Sequence, residues 1–157
     1  MRIRFLKFQR LNKAYLSYFE NEFENNREYE LLKKLISYSS KNRSTIYVLE
    51  IDNKRVGILG LTFDRLSDSP VLSIDYLFVI KSLRGKTFEE MFNKKISKLM
   101  ISYSLDIAKK INEVVAVRYL ALYPDMQDEN LTNYYLSLLP NSFKLKENNE
   151  TWILLKV

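Results

Sequence analysis

The chain has no cysteine and no histidine among its 157 residues, so its chemistry falls to Asp, Glu, Tyr, Lys or backbone amides. Thiolate nucleophiles, disulfides, Ser-His-Asp triads and Cys/His zinc sites are excluded, and the sequence offers no metal-ligand pattern. The stretch DYLFVIKSLRGKTFEE, residues 75–90, runs from an apolar strand through a basic turn into an acidic segment. A strand, a cationic turn and a helix N-terminus in that order can hold a phosphate group, because free backbone N–H groups and the helix dipole both favour an anion. Gly85 supplies the positive φ and close approach such a turn uses. The competing reading is a plain capped helix: Thr87-Phe88-Glu89-Glu90 matches the S/T-x-x-E capping box and predicts a helix beginning at Thr87. Two strand carboxylates, Asp75 and Glu50, are candidate bases, each more ordinarily a solvated or paired group.

These residues must be positioned by the elements around them. IRFLKF (3–8) alternates as a strand, and helical spacing follows over 12–23 and 27–39. Residues 44–51 and 55–63 read as strands joined in a hairpin at Asp52-Asn53-Lys54, and residues 71–80 form a fourth strand. Apolar residues from Phe88 to Ile111 then recur every three or four positions, predicting one helix of about two dozen residues, or about 36 Å. Residues 114–123 read as a fifth strand ended by Pro124, and 130–139 as a short helix stopped before Pro140. Two strands, 143–146 and 151–157, close the chain as a hairpin around Glu147-Asn148-Asn149-Glu150. Helices interleaved with a mixed sheet predict an α/β sandwich in which the fourth and fifth strands are parallel across the long helix.

Length fits a single domain over 1–157. The composition, 46% hydrophobic and 28% charged, is that of a soluble globular chain, and no apolar run reaches membrane length, so a cytoplasmic protein is the default. The net charge of +6 and a pI near 9.4 favour an anionic partner such as a nucleotide or nucleic acid, or reflect a lysine-rich proteome. Glutamates cluster at 20, 22, 24, 28 and 30. They suit a cationic amine or form a solvated helix face.

The element order and two motifs resemble the GCN5-related N-acetyltransferase (GNAT) superfamily over essentially the whole chain. IDYLFVIKSLRGKTFEE is similar to the family's strand followed by R/Q-x-x-G-x-G/A, with Arg84, Gly85 and Lys86 matching, whereas Thr87 and Glu89 stand at its small-residue positions. The stretch from Tyr119 through NYYLSLL to Phe143 is similar to its fifth strand and tyrosine-bearing fourth helix, with LPNS replacing the usual glycine before the phenylalanine.

The resemblance implies a mixed, mostly antiparallel sheet of about seven strands flanked by four helices. It also implies direct acetyl transfer from acetyl-CoA to an amine, with no acyl-enzyme. Under it, Leu77, Phe78 and Val79 contact pantetheine through their backbone, and Arg84, Gly85, Lys86 and Thr87 hold the diphosphate. Tyr135, with Tyr134 as its neighbouring rival, is the acid that meets the leaving thiolate. The acceptor amine is unnamed by the sequence. Toxin-like members of the family, which acetylate aminoacyl-tRNA, suggest tRNA as a partner, since basic residues recur from Lys81 to Lys110. A non-catalytic CoA- or RNA-binding module and a homodimeric assembly are also left open.

Overall fold

A computed structural model describes residues 1–157 as nine strands and four helices. The strands are β1 (Ile3–Phe8), β2 (Thr45–Ile51), β3 (Lys54–Leu66), β4 (Ser69–Val79), β5 (Thr87–Phe88), β6 (Lys94–Lys95), β7 (Tyr119–Leu122), β8 (Phe143–Glu147) and β9 (Glu150–Lys156). The helices are α1 (Ala14–Tyr18), α2 (Asn26–Ser40), α3 (Ile96–Asn112) and α4 (Glu129–Leu138). Seven strands form one sheet in the order β1-β2-β3-β4-β7-β9-β8, and β5 and β6 make a separate two-stranded ribbon. The β4–β7 pair is parallel, while β1–β2, β2–β3, β7–β9 and β8–β9 are antiparallel. This is the mixed, mostly antiparallel α/β architecture expected from the sequence. No helix is long and apolar enough to cross a membrane.

The hairpin turns are built without glycine. Asp52-Asn53, Ser67-Asp68 and Asn148-Asn149 all take positive φ, as two-residue hairpin turns require, and Asn and Asp tolerate it best. The turn at Ser67-Asp68 lets β3 and β4 run longer than their apolar patterns suggested, which replaces the expected 64–70 loop with a hairpin.

The chain packs as two compact units. The first comprises Met1–Leu61 and Tyr76–Met100, and the second Thr62–Asp75 and Ile101–Val157. In the first, Leu32 and Leu35 of α2 are buried, as are Ile46, Val48, Ile58 and Leu59 of β2 and β3. Asn25 caps α2 by accepting the Glu28 N–H at 3.1 Å. In the second, Leu66, Val71, Ala121 and Leu154 form a buried cluster with Tyr119, Leu145 and Trp152 packed on it.

Three expectations fail here for local reasons. The main helix starts at Ile96 and has 17 residues, so Thr87 opens no helix and the capping box is not formed. Phe92 and Asn93 adopt the left-handed conformation, and their amides donate to Glu89 and Phe88 carbonyls. The chain therefore folds back, pairing Thr87 with Lys95 and Phe88 with Lys94, where the periodicity suggested a helix. The segment 12–23 gives only a five-residue α1 followed by a 3-10 turn, Glu20–Glu22. Val114 and Val115 are exposed rather than in a strand, because their amides donate to Ile111 and finish α3.

Gly57 is held by space. A Cβ there would lie 2.9 Å from the Phe78 carbonyl oxygen and 3.1 Å from Met100 Sδ. Gly57→Ala should cost about 1–3 kcal/mol of stability by urea unfolding, because the obstruction includes backbone. Gly85→Ala, which meets nothing within 4 Å but has φ +72°, should cost less, about 1 kcal/mol.

Candidate functional site

In the first unit, β4 delivers the chain into the turn at 81–86. The Ile80 N–H donates to the Val56 carbonyl at 2.9 Å, so Ile80 faces β3. Strand alternation then turns the backbone groups of Phe78 toward β3, and those of Leu77 and Val79 to the other edge. Pairing between β4 and β7 ends at Ile74 and Leu122, whereas β4 runs on to Val79.

Arg84 is committed within the protein. Its Nε donates to the Val79 carbonyl at 2.7 Å, and its two terminal nitrogens donate to Glu28 at 2.8 and 2.6 Å. Both side chains are largely buried, and a bidentate guanidinium–carboxylate pair is among the stronger charge-assisted contacts. Glu22 reinforces this clasp by accepting the backbone N–H and hydroxyl of Ser82, at 3.0 and 3.1 Å. Two of the clustered glutamates thus tie the start of α2 and the preceding turn to the loop after β4. Gly85, Lys86 and Thr87 are exposed.

The sequence reading missed the true helix start. Lys94, Lys95 and Lys98 gather at the first turn of α3 with Ser97, and no acid is present there. Burial lowers the Lys98 pKa, with the Lys94 charge adding to the effect. Cations at a helix N-terminus lie against the helix dipole. The signal was NKK at 93–95, with Asn93 in the left-handed conformation just ahead of the helix. It was hidden by assigning the helix start nine residues too early.

In the second unit, Gln127 fixes the approach to α4. Its side-chain amide donates to the Thr151 carbonyl at 3.1 Å and accepts the Thr151 N–H at 2.5 Å, imitating a strand partner. Asp128 then caps α4, accepting from the Asn130 and Leu131 amides at 2.8 and 3.1 Å. Tyr134 and Tyr135 are both half-buried, with ring centroids 5.7 Å apart. Desolvation pushes the Tyr135 pKa up to about 12, with smaller contributions from Tyr134 and Asp125, so its phenol remains protonated at neutral pH.

The candidate bases are both engaged. Glu50, buried on β2, accepts from Arg4 at 2.5 Å and lies 3.7 Å from Arg55. Asp75 accepts a hydrogen bond from the Thr62 hydroxyl.

The sequence matches no known family profile and no curated protein. Solved structures do match. AtaTR bound with acetyl-CoA is 14% identical, with a TM-score of 0.73 over 98% of this chain and 92% of that one. A KacT variant is 12% identical, with a TM-score of 0.69 over 99% and 95%. The N-acetyltransferase PseH of Campylobacter jejuni is 13% identical, with a TM-score of 0.57 over 98% and 97%. All three are GNAT-fold acetyltransferases. This chain has the GNAT fold.

Proposed function

We propose that the protein is an acetyl-CoA-dependent N-acetyltransferase that passes an acetyl group directly to an amine. The observation that carries this reading is the lysine-rich start of α3 on a GNAT fold. Amides at the α3 start and the ammonium groups of Lys94, Lys95 and Lys98 bind the diphosphate. In this reading the diphosphate site moves from Arg84, Gly85, Lys86 and Thr87 to residues 94–98, and Arg84 holds the loop instead. Leu77 and Val79 offer backbone groups to pantetheine, with the Val79 carbonyl already taken by Arg84. The fold shared with AtaTR, solved with acetyl-CoA, supports the cosubstrate.

Acetyl-CoA supplies a thioester activated for attack by the amine. Tyr135 is the group we assign to the leaving sulfur. A phenol whose pKa burial has raised to about 12 gives up its proton to a thiolate only reluctantly. Tyr135 therefore stabilises the developing thiolate as a hydrogen-bond donor, the attacking amine gives its proton to solvent, and solvent protonates the thiolate. Tyrosine-to-phenylalanine variants of AtaT and KacT are among the structural neighbours, which is consistent with a tyrosine of interest in this fold.

Isothermal titration should show acetyl-CoA binding to the wild-type chain, and its absence sinks the reading. Lys98→Gln should weaken that binding about tenfold, while Gly85→Ala changes it little. The pH dependence has a definite sign. Because the Lys98 pKa lies below 10.5 in the free protein, affinity should begin to fall at a lower pH than an ordinary lysine would cause, as the ammonium loses its proton.

Tyr135→Phe should lower turnover by about 10²-fold with acetyl-CoA affinity unchanged. Full turnover in that variant, with a collapse in Tyr134→Phe, would transfer the role to Tyr134.

AtaT is described as a toxin bound to its antitoxin AtaR, which favours a narrower second reading in which the amine is carried on aminoacyl-tRNA. Retention of tRNA at low salt, fading steeply as salt rises, is the outcome that reading expects.

A further inference from the structure

Tyr76 is a buried side chain, 9% exposed, whose hydroxyl has no hydrogen-bond partner. Buried polar groups are nearly always paired, and an unpaired one is destabilising. Phenylalanine would fill the same space without that penalty. Its surroundings are defined within the first unit. The Tyr76 ring stacks on Phe78 at 6.2 Å, and Phe78 packs against Phe19 at 5.4 Å and Phe23 at 5.3 Å. Phe23 in turn meets Tyr29 edge-on at 5.8 Å. The charges that act on the Tyr76 hydroxyl are those of Glu28 and Arg84. The Arg84 guanidinium lies 5.4 Å from the Phe78 ring centroid, so this aromatic face already accommodates a cation.

We propose that the Tyr76 hydroxyl recognises the acceptor, accepting an N–H from a primary amine carried on an aromatic or similarly broad apolar group. The inference rests on the acetyltransferase reading and names the substrate class for it. The aromatic side chains take the apolar body, and their ring faces favour a cationic group beside them, as Arg84 over Phe78 shows. Held by one N–H, the amine gives a second proton to solvent before its nitrogen can attack. Phe23 and Tyr29, at the outer end of this aromatic cluster, are half-buried. Both lie beside Glu22 and Glu28, the residues fastened to Ser82 and Arg84.

The test uses 2-phenylethylamine as probe on the full chain without acetyl-CoA, with n-butylamine for comparison. Calorimetry should show saturable binding of phenylethylamine, about tenfold tighter than butylamine. Tyr76→Phe should keep or raise Tm, weaken phenylethylamine by about tenfold and leave acetyl-CoA affinity unchanged. No phenylethylamine binding in the wild type, or equal binding in Tyr76→Phe, overturns the proposal. So does a fall in Tm, which would mean the hydroxyl has a partner inside the protein. Tyr76-dependent amine binding in a chain that never binds acetyl-CoA would sink the acetyltransferase reading and leave this subsite standing.

Discussion

The bidentate pair between Glu28 and Arg84 decides how the first unit is put to use. It anchors the first turn of α2 to the loop after β4, and the same arginine closes on the Val79 carbonyl. One guanidinium thus holds the strand end, the loop and the helix together. These contacts engage all three guanidinium nitrogens inside the protein. The function proposed above therefore puts the diphosphate further along the chain, at the lysines that open α3.

The lysines at the start of α3 stand where a helix ordinarily carries acids. A helix is stabilised by acids at its N-terminus and by bases at its C-terminus. At its far end α3 follows that rule, with Lys109 and Lys110 in its last turn. At its start it reverses the rule. A local conflict of this kind, set in an otherwise consistent fold, is the pattern expected where stability has been given up for binding. Tyr76 is the second such conflict, a polar atom without a partner in a well-packed aromatic cluster.

Much of the fold was legible in the sequence, because alternation and helical spacing are properties of short segments. The β2–β3 turn, α2, α4 and the closing β8–β9 hairpin were readable from Asp52-Asn53, the Tyr29-Leu32-Leu35-Ile36 face, Pro140 and Asn148-Asn149. The parallel β4–β7 pairing followed from the crossover through α3. The site was less legible. Phe88, Met91 and Phe92 have helical spacing, yet Phe92 is 87% exposed in a left-handed turn, because the β5–β6 ribbon interrupts the motif just after Lys86. Short-range pattern cannot register such an insertion, since each residue in it is compatible with a helix. Likewise, the pairing of Arg84 could not be read locally, because its partner lies 56 positions earlier in the chain.

The central claim is that the diphosphate belongs to the α3 start and not to the Arg84–Thr87 turn. A crystal structure of the protein with CoA tests it most directly. The account predicts phosphate oxygens within hydrogen-bonding distance of the backbone amides at Ile96–Lys98 and of the Lys98 ammonium, with Arg84 still paired to Glu28. Diphosphate on the amides of Gly85–Thr87, with the Arg84–Glu28 pair broken to meet it, would contradict the account.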